Sequence, residues 1–526
     1  MRKNQPSRRE MINLGLSAGV DGIGSFFPTT TTHAETNRVT SELNSPNSDV
    51  RQLMKLIADT PQDKCVEVMA EQFRKGVPYR IALAALFLRT IEYNDTHVTF
   101  ATHAAHRMSL DVPEQHRLIP FFWALNLTKT HEEKHSWAKP GHYLPLKEAS
   151  LSPEQANRRF VEGMADWDSE KAASGLIALA RRESHDQTFT RLWPYAARNM
   201  GFIGHYAIAL ANGDRTLRVI GWQYHEQFLR FLVKMMCLKG PAGNLVDGPG
   251  PQYEESLARS QQIDSLRPGW RYRIGNRAAT IELYNVIRSG KSKDACDLAF
   301  TMLKSGNVQA GAIWDAIYLA SAEFLMRSFE AKQLGGRPVH ANTSSNALDY
   351  AFRTCNRADV ALLTLLEAVD WITETIAAWT DKKTSDGQPL LRTLKITDFR
   401  AKETSASERT IEDIFSELPA LERLYLDGGV KTVVSGAPRE TQDAAAESAY
   451  TLLQSAAGQQ AFQRVGRSYV LSKAGPNAHH YKFCIAALEN ARHISPEWRP
   501  NYLAASVHYG FGPVTPDNGI LRRATR

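Results

Sequence analysis

The chain has little of what would make it a thiolate-metal, nucleic-acid-binding or membrane-spanning protein. It carries only five cysteines in 526 residues: Cys65, Cys237, Cys296, Cys355 and Cys484. They are far apart, odd in number and set among apolar residues, so they read as small buried hydrophobes and not as a disulfide framework. No CxxC pair occurs, which removes the usual thiolate zinc site and the redox dithiol. No Lys/Arg run suited to a phosphate backbone is present. A net charge of +7 is spread over 63 basic and 56 acidic residues, the pattern of a solvated mixed surface, and nucleic acid is not expected as a partner. No mature segment reaches the ~18 to 20 uninterrupted apolar residues of an integral membrane span. Strand signals are scarce too: no alternating run is read as closed by an Asn-Gly or Asp-Gly hairpin turn, and no fixed-period repeat supports a solenoid.

What is abundant is helical periodicity over a large apolar content, 43% hydrophobic residues with 10 Trp, 21 Phe and 17 Tyr. The expected fold class is all-α, an irregular multi-helix bundle or array with little or no β-structure. Two helices are expected within 65–93, split at Gly76-Val77-Pro78. Further helices are expected over 153–164, 170–183, 187–200, 215–238, 277–289, 310–329, 345–352 and 358–379, then 444–456, 460–472, 478–493 and 499–509. Asp168-Ser169 and Ser344-Ser345 are read as capping starts, and Asn212-Gly213-Asp214 as a turn between two helices. Pro/Gly-rich 240–251 and charged 382–408 are the candidate linkers, so a subdivision of the body 49–526 is sought near 240–270 or 382–408.

The N-terminus has its own logic. Ser7-Arg8-Arg9-Glu10 precedes a weakly apolar stretch, 14–27, and Thr32-His33-Ala34 offers small residues for a signal peptidase. Residues 1–34 therefore read as a twin-arginine signal, 35–48 as a polar spacer, and the protein as a client of the twin-arginine translocase exported to the periplasm or medium. Without that signal it would stay in the cytoplasm.

The chemistry-bearing candidates are mostly histidines. His131-Glu132-Glu133-Lys134-His135 spells HExxH, in which two histidines one helical turn apart hold zinc and the glutamate activates water. Its intervening residues are charged and no third ligand stands at the extended spacing, so a zinc hydrolase is an alternative reading and a solvated helix end the simpler one. His97, His103 and His106 share one helical pattern; His103 and His106 lie on one face, and His97 points away from His103. His205 follows Gly204, where a ligand or another backbone can approach closely. His340 stands just ahead of an expected helix start, whose free N–H groups suit an anionic or carbonyl ligand. His479 and Lys482 are spaced i, i+3, so the ammonium would keep the imidazole neutral, as a base or metal ligand must be. Glu226, beside His225, and Asn346 are the cofactor-binding candidates, and Asp315 and Glu323 are acids that need partners if buried.

The order of these elements resembles the questin oxidase-like family, from about Asn94 to Lys482. The residues that carry the likeness are Asn94-Asp95-Thr96-His97, Gly204-His205, the run His340-Ala341-Asn342-Thr343-Ser344-Ser345-Asn346-Ala347-Leu348, and Asn477-Ala478-His479-His480-Tyr481-Lys482. The last departs from the family pattern, with Asn477 where an aspartate is expected; in the first, Asn and His are not adjacent. The resemblance implies a helical oxidoreductase of monooxygenase type, an oxygen-dependent Baeyer–Villiger-type oxidation of a small aromatic or ketone substrate, and NADPH as reductant. It also implies His97, His205, His340 and His479 as site residues, acting as bases or holding a metal. The competing class is a non-enzymatic exported binding or scaffold protein whose histidines are core residues.

Overall fold

Helix-starting chemistry recurs along the computed structural model, which describes residues 48–93, 96–134, 151–201, 203–237, 252–328, 336–383, 387, 389–402, 410–419, 421–426, 429–434 and 439–525. Ser152, Ser184 and Thr410 each open a helix with a reciprocal capping box. Asp168, Asn276 and Ser455 cap with one side-chain oxygen. The first helices are α1 (Ser48–Asp59), α2 (Cys65–Arg74), α3 (Tyr79–Glu92), α4 (Thr96–Leu110), α5 (Ile119–Lys134), α6 (Pro153–Ala165), α7 (Ser169–Ala180) and α8 (His185–Arg198). Next come α9 (His205–Ile220), α10 (His225–Cys237), α11 (Tyr253–Ser260), α12 (Arg277–Arg288), α13 (Ser292–Ser305), α14 (Ala310–Arg327), α15 (Arg337–Thr354) and α16 (Ala358–Thr380). The C-terminal part holds α17 (Ile411–Ser416), strands β1 (Leu421–Leu426) and β2 (Gly429–Val434), then α18 (Arg439–Leu452), α19 (Ala456–Lys473), α20 (Ala478–His493), α21 (Arg499–Ser506) and α22 (Ile520–Ala524).

The protein is an all-α multi-helix array. Every residue of α14 is buried, as befits a helix apolar on all sides, and α12, α15, α16 and α21 pack around it. Close crossings rest on glycine: a Cβ on Gly175 would stand 2.5 Å from Phe160 N, and one on Gly163 2.3 Å from Ala172 N, so α6 and α7 touch backbone to backbone. Residues Asn44–Arg526 form one compact unit, and 240–270 and 382–408 both fall within it. No described helix is long and apolar enough to cross a membrane. The proposed signal, 1–34, and all but Ser48 of the spacer lie outside the described residues.

Several local expectations need correction. The only described strands, β1 and β2, pair antiparallel with Leu426 opposite Gly429; the sequence between them, Asp427-Gly428, is a hairpin signal, contrary to the expected absence of one. Asn212-Gly213-Asp214 is no turn but lies inside α9, because Gly213 makes room for the Phe228 ring, 1.8 Å from where its Cβ would be. The expected helix 215–238 is instead broken at Gly221, with φ 116°. Ser344-Ser345 is no capping start: α15 begins at Arg337, and the two hydroxyls bond back to His340 O and Ala341 O, at 2.6 and 2.7 Å. Helices α1, α11, α13, α17 and α22 lie outside the expected ranges.

The site is positioned by four helices. α4, α9, α15 and α20 pack in a ring, α4 on α9, α9 on α15, α15 on α20 and α20 on α4.

Candidate functional site

Each helix of that ring contributes a histidine from its first turn: His97 in α4, His205 in α9, His340 in α15 and His479 in α20. The four imidazoles meet. Ring centroids are 4.7 Å apart for His97–His205, 4.8 Å for His205–His340, 4.8 Å for His340–His479 and 5.2 Å for His97–His479. His97, His205 and His340 each offer a nitrogen within 4.8 Å of the other two. His205 and His340 are buried, whereas His97 and His479 keep some surface.

Local backbone chemistry brings the rings together. Gly204, at φ 72°, is the N-cap of α9, and a Cβ there would lie 2.4 Å from Ser344 Cβ. The start of α9 is thus pressed onto α15, and His205 Nε2 stands 2.9 Å from His340 Nε2. His340 Nδ1 is 2.8 Å from Gly336 O; a carbonyl only accepts, so Nδ1 carries the hydrogen and Nε2 has the lone pair. His479 repeats the arrangement, its Nδ1 donating to Asn477 Oδ1 at 2.7 Å. Asn477 is the N-cap of α20 and supplies that acceptor as an amide oxygen. The other nitrogen, His479 Nε2, is buried and makes no hydrogen bond. One nitrogen anchored to an oxygen and the other left with a lone pair is the usual state of a metal-ligating histidine.

Electrostatics keeps three of the rings neutral. Burial is the main cause that pushes His205, His340 and His479 well below the ordinary imidazole value. Neighbouring imidazoles and the Lys482 ammonium push the same way. Four helix N-termini, each carrying partial positive charge, add to this and favour a negatively charged ligand beside the cluster. Lys482 is buried, with Nζ 5.2 Å from the Phe100 ring centroid.

Below the cluster the four helices continue side by side around a narrow polar chamber lined by His103, Asn212, Arg215, Thr343, Asn346 and Lys482. His103 is buried with neither ring nitrogen hydrogen-bonded, and burial, then Arg215, pushes its proton affinity well down. The three histidines of α4 therefore part company: His97 belongs to the cluster, His103 to the chamber, and His106 Nδ1 bonds Tyr79 Oη at 3.1 Å. The chamber closes on Arg215, which pairs with Glu489 at 3.2 Å and lies 4.2 Å from the Tyr350 ring centroid.

The remaining candidates fall elsewhere or in part. Asn346 lines the chamber, its amide oxygen accepting from Arg215 at 3.1 Å. Glu226 is buried and paired with Arg181 at 3.1 Å. In the HExxH string His135 lies outside the described residues, and Glu132 is buried between Arg89 and Lys129, at 2.8 and 2.7 Å. Two cations hold that carboxylate where a zinc hydrolase would need it free to take a proton from water. Asp315 accepts from Ser495 N at 2.8 Å, and Glu323 pairs with Arg288 at 2.6 Å, so both acids are structural. The five cysteines are free thiols.

Sequence reasoning did not find the chamber residues Asn212, Arg215 and Thr343. Their only signal was spacing, since they recur along the same helices one to three turns beyond the cluster histidines. No family model, curated protein or solved structure matches the chain.

Proposed function

We propose that the four-histidine cluster holds a single divalent metal ion and that the protein is an oxidoreductase acting on a small aromatic or ketone substrate with dioxygen. The reaction class is the Baeyer–Villiger-type oxidation of questin oxidase-like enzymes. The observation that carries this reading is the meeting of four imidazoles from four separate helices, with His340 and His479 anchored through Nδ1. His97, His205 and His340 would be the ligands, with His479 as the fourth; imidazole sets suit iron, copper, zinc and nickel. When bound, a redox-active ion such as iron or copper would supply the site for dioxygen and would relay the reductant's electrons to it.

The chain's own groups supply the rest. Lys482 and the helix N-termini would lower the proton affinity of a phenol or ketone bound beside the cluster and stabilise the resulting anion. The packed walls of α4, α9, α15 and α20 would keep bulk water from it. Inserting one oxygen atom into the substrate while the other leaves as water consumes two electrons, for which NADPH is the reductant in this reading.

Metal analysis of the purified protein, with alanine at His205 or His340 compared with alanine at His131 or His135, tests the proposal. One equivalent of metal lost only in the first pair is expected. Loss only in the second pair would point to the hydrolase, and failure to take up any metal on reconstitution would point to the scaffold. Export through the twin-arginine translocase belongs to the same proposal and is tested by replacing Arg8 and Arg9 with lysine and following the protein between cytoplasm and periplasm.

A further inference from the structure

Helices α4 and α20 bring histidines together at their first turns and arginines at their last. Arg107 and Arg492 lie in those last turns, where a cation faces the unpaired carbonyls of the helix end. Arg492 is about 20 Å along α20 from His479. Arg467 reaches the same place from α19.

All three guanidiniums share one carboxylate. Asp111, just past the end of α4, is 3.2 Å from Arg107 Nη1, 3.2 Å from Arg492 Nη2 and 3.7 Å from Arg467 Nη2. Glu489 lies 3.9 Å from Arg107 but is paired with Arg215 at 3.2 Å. Among the described residues no other carboxylate stands within ion-pair distance of the three arginines. Three cations against Asp111 leave two positive charges in excess. The C-termini of α4 and α20 offset about half a charge each, so about one positive charge remains.

The excess is held in place and open to water. Arg467 is fixed by Asp111 and by Gln463, to whose Oε1 its Nη2 donates at 3.2 Å. Burial is the main cause that lowers its proton affinity, and Arg492 and Arg107 push the same way, with Asp111 opposing them. The Arg492 side chain is 42% exposed and opens the group to solvent. Arg467 and Arg492 approach the same oxygen, Asp111 Oδ2. One tetrahedral anion can therefore bridge their planar forks from the solvent side without needing an enclosed cavity.

The carboxylate among the arginines decides which anion that is. Asp111 repels an anion whose oxygens are all bare, as those of sulfate are near neutral pH. Hydrogenphosphate carries a hydrogen on one oxygen, so it can donate to Asp111 while its other oxygens accept from the arginines. A carboxylate has about four acceptor positions, and Asp111 uses its oxygens for hydrogen bonds from Arg107 and Arg492 only.

We propose that Arg107, Arg467 and Arg492 bind a hydrogenphosphate ion, with Asp111 accepting its hydroxyl hydrogen and selecting against sulfate. Calorimetric titration of the chelator-treated full chain with inorganic phosphate and with sulfate, near neutral pH and at constant ionic strength, tests it. Chelation removes any metal that could itself take up phosphate, so the outcome is independent of the histidine cluster. Saturable phosphate binding is expected, with sulfate weaker by about tenfold or more. Arg492→Gln, at an exposed position, should weaken phosphate by about tenfold. Asp111→Asn should narrow the difference between the two anions by tightening sulfate. The proposal is overturned if phosphate shows no saturable binding, if Arg492→Gln binds it as well as the parent does, or if sulfate binds the parent as tightly as phosphate. Circular dichroism establishes that each variant is folded, and Arg492→Gln decides the matter should Asp111→Asn fail to fold.

Discussion

Unfolding the metal-free protein at pH 5.5 should take up about four protons, because at least six buried or half-buried histidines are held neutral in the fold. Burial pushes His103, His205, His340 and His479 well below the ordinary value, and His106 and His493 down to about 4. With an unfolded pKa of about 6.5, each gains about 0.9 proton on unfolding at pH 5.5, or about 5.5 together. Two buried carboxyls oppose this. Asp370 is raised to about 6 and Glu367 well above its usual value, by burial and, for Glu367, by the nearby Asp370. They release about 1.7 protons on unfolding. The sign follows: histidines depressed in the fold contribute stability above pH 6.5 that is lost as the pH falls, at about 5 kcal/mol per pH unit near 5.5. A pH-indicator measurement of proton uptake on mixing with guanidinium, in weakly buffered chelator-treated protein, reads the number directly. His340→Gln should remove about one proton from it. An uptake of one proton or fewer would refute the reasoning, since the imidazoles would then already be charged or exposed in the folded protein.

Gly204→Ala forces a Cβ against Ser344 at a left-handed backbone position. It should cost about 1 to 3 kcal/mol in denaturant unfolding and weaken metal binding by separating His205 from His340. Glu132→Ala leaves Arg89 and Lys129 without their shared carboxylate and should destabilise by about 3 to 5 kcal/mol, while metal content, read by elemental analysis, stays unchanged. Glu367→Gln removes a carboxyl whose ionised form is penalised by burial; its thermal midpoint should rise relative to the parent above neutral pH and converge with it near pH 4. Asn477→Asp puts a carboxylate on His479 Nδ1 and should raise the imidazole's proton affinity, seen in the ring-proton titration by NMR of metal-free protein.

Helix and class were legible because they depend on spacing along the chain. The bounds 478–493 coincide with α20, and 153–164, 277–289 and 358–379 differ from α6, α12 and α16 by about a residue, since periodicity and capping act within a turn or two. Breaks were less legible. A glycine in the string Asn-Gly-Asp looks like a turn, and only Phe228 pressing into Gly213 explains why the helix runs on and stops at Gly221 instead. The Asp427-Gly428 pair, by contrast, is a local hairpin signal.

The four histidines could be named from local cues, a glycine before His205, a turn before His340, a lysine beyond His479, because each cue lies within a few residues. Their meeting was not local. It depends on α4, α9, α15 and α20 packing with their first turns together, through contacts between residues hundreds of positions apart. The same distinction holds for Glu132, whose partner Arg89 comes from another helix. Residue types and helix phases follow from short-range stereochemistry; which lone pairs point at one another is set by how whole helices pack, because one imidazole fixes neither the position nor the protonation of the next until burial joins them.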